Sequence, residues 1–73
     1  MDKEIELAID LLKYKILALL RREKNLQVRA IAIKLGFEFD IQGRFTDTLL
    51  QELIREDKVI SDKVRGKRLY NHR

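Results

Sequence analysis

A mainly helical domain closed by a small β-hairpin is the fold class the sequence predicts, on three observations. The N-terminal stretch to Arg22 carries a helical apolar period, and Gly36 closes a second, shorter helical stretch with a third beyond Gly43. Residues 58–73 then switch to strand-like segments around Gly66. The 73 residues suffice for one domain. A lone core of this size rarely supplies more than roughly 3–5 kcal/mol, so stability must come from close packing or from a partner. There is no cysteine, hence no disulfide and no thiolate zinc site, and the single histidine, His72, cannot build a histidine cluster. No metal or other cofactor is expected.

The first helix is expected from about Asp2 to Arg22. Glu, Leu, Ala and Lys dominate it, Asp2 is an N-cap candidate, and its acids fall early while Arg21 and Arg22 fall late. At 100° per residue, Ile5, Ile9, Leu12, Ile16, Leu19 and Leu20 share one face. Leu7, Leu11, Tyr14 and Ala18 form a second apolar stripe on the opposite face, at the spacing of a coiled-coil seam. The richer stripe is expected to be core. The second needs a partner, and the same helix of a second copy is the simplest one, which makes Leu7, Leu11, Tyr14 and Ala18 the expected homodimer interface. The other reading leaves them partly exposed or covered by the chain's own C-terminal residues.

Glu23-Lys24-Asn25 reads as a polar turn, and Leu26-Gln27-Val28 is long enough for one β-bridge. A second helix is expected from about Val28 to Leu35, with Gly36 ending it in a left-handed conformation. The segment Phe37 to Gly43 is a loop whose Phe37 and Phe39 are expected to plug the core. A third helix follows from roughly Arg44 to Asp57. Leu49, Leu50 and Leu53 form its inner face, and Arg44, Thr48, Gln51 and Arg55 are centred opposite. Lys58 to Val64 and Arg68 to His72 are the strands of a hairpin turning at Arg65-Gly66-Lys67. The chain thus divides into 1–22, 28–57 and 58–73.

Charge is unevenly spread along these pieces. Residues 21–37 carry five bases against Glu23, a net +4, and residues 58–73 carry six bases against Asp62, a net +5. Between them, residues 38–57 carry Arg44 and Arg55 against six acids, a net −4. Residues 1–20 are nearly balanced, with three bases against four acids. Concentrated positive charge is the footprint of a polyanion binder, and it also serves plain solubility. The longest apolar stretch, Leu11 to Leu20, is interrupted by Lys13 and Lys15 and is too short to span a bilayer. Glu4, Glu6 and Asp10 disfavour lying on anionic lipid. Met1-Asp2-Lys3-Glu4 is not the basic start of a signal peptide, so no membrane partner and a cytoplasmic location are expected.

This order of elements resembles a winged helix-turn-helix domain. Val28-Arg29-Ala30-Ile31-Ala32-Ile33-Lys34-Leu35-Gly36 is similar to the family's second helix, with an apolar–alanine pair and then leucine-glycine. Leu50-Gln51-Glu52-Leu53-Ile54-Arg55-Glu56-Asp57-Lys58-Val59-Ile60 is similar to the end of its third helix and the start of its wing, although Asp57 stands where the family usually has glycine. The turn after Gly36 is about four residues longer than in compact members, and the third helix is richer in acid than a typical groove reader. Small stand-alone domains of this kind are frequent in archaea and their viruses.

The resemblance implies a DNA-binding module whose third helix enters the major groove while the wing touches backbone or minor groove. Arg44, Thr48, Gln51 and Arg55 are then the expected base readers, arginine suiting guanine and glutamine suiting adenine. Lys63, Arg65, Lys67 and Arg68 are the expected wing contacts, and Arg29 a further phosphate contact. The implied protein is a small homodimeric transcription regulator, nucleoid-associated, with double-stranded DNA as its partner and no evident small-molecule ligand. The alternatives are a winged-helix module that binds another protein, or an RNA-binding module using the same wing.

No enzyme is expected. The sole serine, Ser61, lies in the hairpin and the sole histidine near the end, so no serine–histidine–acid set can be assembled, and Gly43 and Gly66 lack phosphate-cradling spacing. Tyr70 could stack on a base, but packing on the hairpin suits a strand tyrosine better. His72 is expected to fray.

Overall fold

The computed structural model describes residues 2–73. Three helices and a two-stranded antiparallel hairpin follow one another: α1 (Lys3–Arg22), α2 (Val28–Lys34), α3 (Arg44–Arg55), β1 (Val59–Val64) and β2 (Lys67–His72). This mainly helical arrangement with a small hairpin is the expected fold class and is compatible with a winged-helix layout.

Each boundary has a local cause. Asp2 caps α1, its Oδ1 accepting from the Glu4 N–H at 3.0 Å. The second helix ends at a left-handed Gly36 (φ 75°), where the Gly36 and Phe37 N–H groups donate to the Ile33 and Ala32 carbonyls. The third ends in the same way, with Asp57 (φ 65°) and Lys58 donating to Ile54 and Leu53. Asp57 therefore stands in the left-handed region, which aspartate enters more readily than most side chains. The hairpin turn has two residues, Arg65 (φ 53°) and Gly66 (φ 80°), both with positive φ, and Val64 pairs with Lys67.

Leu26 adds the expected bridge on the other side of β2. Its N–H and carbonyl exchange hydrogen bonds with Tyr70 at 3.2 and 2.8 Å. The core gathers Ile16, Leu19 and Leu20 from α1, Ile31 from α2, and Leu49, Leu50 and Leu53 from α3. Val59 and Tyr70 close it from the hairpin.

Three expectations about packing are corrected. Ile5 is 53% exposed rather than core, because α1 runs past the rest of the molecule at its N-terminal end. A 20-residue helix spans about 30 Å at 1.5 Å per residue, and the core packs against it only from Ile9 onward. Phe37 is buried, but Phe39 is 67% exposed and leans on the rings of Phe37 and Phe45 at 5.6 and 5.5 Å. His72 does not fray. It pairs with Val59 in the ladder, its Nε2 accepts from Arg21, and Arg73 beyond it ion-pairs with Asp57.

Candidate nucleic-acid interface

The face of α3 away from the core presents Arg44, Thr48 and Arg55 to solvent. Thr48 Oγ1 donates back to the Arg44 carbonyl at 3.0 Å, which fixes its rotamer along the helix. Gln51 differs from the other three. It is half-buried, and its Nε2 lies 3.5 Å from Asp47 Oδ1, the oxygen that also accepts from the Tyr70 hydroxyl at 3.1 Å. Tyr70, only 2% exposed, is a packing residue as expected, not a stacking platform. Burial pushes its hydroxyl pKa up, and the Asp47 charge and hydrogen bond add to the rise. The Asp47–Tyr70 bond ties the outer side of α3 to β2, which carries Arg68 two residues away.

In the hairpin, strand alternation puts Val59, Ser61 and Lys63 on one face with Tyr70 and Arg68. Lys63 and Arg68 are directly paired across the ladder on this side, and Arg68 donates to Ser61 Oγ at 3.1 Å. Lys67 pairs with Val64 on the other face, and Arg65 occupies the turn. The four cations thus surround the tip rather than forming a single-sided patch. A groove runs between the start of α2 and the hairpin, with Arg29 on one wall and Gly66, Lys67 and Arg68 on the other.

The acids at the end of the third helix are turned elsewhere, whereas Asp47 stays on the outer side. Glu56 and Glu52 meet Lys13 of α1 at 2.8 and 3.9 Å, Lys58 lies 3.5 Å from Glu56, and Asp57 pairs with Arg73. The hydrogen bond from Lys13 holds the Glu56 carboxyl below its ordinary range, and Lys13 is raised in turn. Among the described residues, Lys13, Lys34, Lys58 and Arg73 form every ion pair, and none of the candidate cations takes part. Further unpaired bases lie on α1 and in the turn after it.

Asp40 went unnoticed in the sequence and positions the whole helix. It is nearly buried in the loop before α3, with Oδ1 accepting from the Phe45 N–H at 3.0 Å. Oδ2 accepts from the Thr46 N–H at 2.8 Å and the Thr46 hydroxyl at 2.6 Å. Burial would push its carboxyl up, but those bonds from Thr46 and the first N–H groups of α3 outweigh burial and lower it. The residue at the cap position, Gly43, has no side chain to do this. That missing cap was the available signal, and an acid shortly upstream was its answer. Comparison with protein-family models, curated proteins and solved structures gives no match.

Proposed function

We propose that the protein binds double-stranded DNA with sequence preference, as a small transcription regulator working as a homodimer through α1. The observation that carries this reading is the division of its cations. Those that are ion-paired tie elements of the fold together, whereas Arg29, Arg44, Arg55, Lys63, Arg65, Lys67 and Arg68 have no acidic partner among the described residues. Lys63 opposite Arg68 is a like-charge pair, which costs the hairpin stability and is relieved by a polyanion. Arg44, Thr48 and Arg55 would face bases, with Gln51 held back by Asp47 in a supporting place. The hairpin tip and Arg29 would grip phosphates.

The test is duplex binding against salt. Affinity should fall steeply, with a log–log slope of roughly −4 to −6 for about four to seven neutralised phosphates. Arg68→Ala should weaken all duplexes alike, and Arg55→Ala should lower discrimination between them. Absence of binding at low salt, or affinity indifferent to salt, overturns the reading. A protein-binding module is favoured by one other feature, the exposed Ile33, Phe39 and Ile41 around the α2–α3 connection, and a failed duplex titration would turn attention there.

A further inference from the structure

The stripe opposite the core on α1 is uncovered over its first three members. Leu7, Leu11 and Tyr14 are 68%, 54% and 68% exposed, and Ala18, half-buried, completes the row. The same row continues one step beyond each end of the apolar stretch. Glu4 lies three residues before Leu7, and Arg21 three residues after Ala18, so both occupy seam positions. Asp2, Glu4, Glu6 and Asp10 crowd the first half of the helix against Lys3. Lys15, Arg21 and Arg22 charge the second half, where Lys13 is already engaged by Glu56.

Orientation follows from these charges. Two parallel copies would set Glu4 on Glu4 and Arg21 on Arg21, like charges at both ends of the seam. Two antiparallel copies bring Glu4 onto Arg21 twice and lay the acidic half of each helix along the basic half of the other. The side chains also fit this register by size, the larger Leu7 against the smaller Ala18 and Leu11 against Tyr14. A two-fold axis between Leu11 and Tyr14 relates the copies, so one patch serves both. Arg21 spends one donor, Nε, on His72 at 3.3 Å, and its two terminal nitrogens stay available for a carboxylate.

We propose that two copies of the chain associate through an antiparallel α1 pair, with Leu7 against the partner's Ala18, Leu11 against the partner's Tyr14 and Glu4 against the partner's Arg21. This rests on the homodimer reading above and fixes its geometry. Pairing also takes out of water the apolar stripe that the rest of the molecule leaves exposed on α1. The molecular bodies, each seated on its own α1 from Ile9 onward, then lie toward opposite ends of the helix pair.

The experiment combines sedimentation with cysteine cross-linking, for which the cysteine-free chain is ready as it stands. Wild type should sediment as a dimer. Leu11→Glu should sediment as a monomer with unchanged helical circular dichroism, while Ile5→Gln, on the opposite face, should remain dimeric. Residues 7 and 18 are about 16 Å apart along one helix, beyond the reach of a disulfide. The double variant L7C/A18C should therefore link two chains on oxidation, and Leu7→Cys or Ala18→Cys alone should not. Glu4→Lys should weaken association about tenfold for two symmetric pairs, and adding Arg21→Glu should restore it. Cross-linking of Ala18→Cys alone, or a wild type that stays monomeric at millimolar concentration, overturns the proposal. A monomer that still binds duplex in a salt-dependent way would sink only the pairing. A linked dimer indifferent to duplex would sink only the nucleic-acid reading.

Discussion

The twenty residues of α1 are packed only from Ile9 onward, whereas the twelve of α3 are held from end to end. Asp40 clamps the start of α3 through Phe45 and Thr46, Leu49, Leu50 and Leu53 fill the core at its middle, and Lys13 holds Glu52 and Glu56 at its end. In α1, Ile16, Leu19 and Leu20 are buried while Ile5, Leu7 and Leu11 stand in solvent. Leucine-rich turns at the same spacing thus meet opposite fates within one helix. Local propensity makes both helices, but neighbours decide what each is for. A helix fixed at both ends can present Arg44, Thr48 and Arg55 in a constant geometry, which is what reading a rigid partner requires. A helix left bare at one end offers surface for association.

The strongest way to break the contrast is Leu50→Ala. It removes a fully buried side chain between α3 and its neighbours and should cost about 2–5 kcal/mol in denaturant unfolding. Next is Asp40→Ala, which strands the Thr46 hydroxyl and two N–H groups and should cost about 2 kcal/mol. This contribution has a pH signature. The folded carboxyl lies below the ordinary value of 3.8, so it stabilises fully above pH 3.8 and is lost as pH falls through the folded value. Unfolding midpoints measured from pH 7 down to 2 should drop less steeply in the variant than in wild type.

Lys13→Met sharpens the comparison by loosening only the far end of α3. Lys13 is well covered, but Glu52 and Glu56 are substantially exposed, so solvent screening keeps the loss to about 1 kcal/mol or less. High salt should shrink the difference between variant and wild type in the same unfolding assay. The smallest effect is expected for Leu7→Ala on the isolated fold, within about 0.5 kcal/mol at concentrations where only monomer is present. A loss as large as that of Leu50→Ala would mean that the first half of α1 is covered after all.

How far these features could be read from the sequence depended on the range of the interactions behind them. The Asp2 cap, the Gly36 stop and the Gly66 turn are settled within a few residues, and Leu26 was short enough to read as a bridge. The candidate cations were legible as a charge pattern, and the outward placement of Arg44, Thr48 and Arg55 followed from the helical period. Phe39 and Ile5 were misread because their surroundings depend on where other elements stop. The loop carrying Phe39 bends back on Phe37 and Phe45, and Ile5 is left more than half exposed. Gln51, grouped with the readers by angle alone, is drawn inward by Asp47 and Tyr70, whose bond spans 23 residues. His72 looked like a loose end until Arg21 and the Asp57–Arg73 pair fastened it.

One consequence follows from the hairpin's place in the sheet. Leu26 and β1 flank β2 on its two sides, which leaves β1 as an open margin whose outward backbone groups could recruit a foreign strand. Ile60 and Val64 there would welcome such an addition, but Asp62 and Lys63 stand between them. Any stacking of hairpin on hairpin would bring these charges out of water, so the pair guards the chain against fibrous self-assembly.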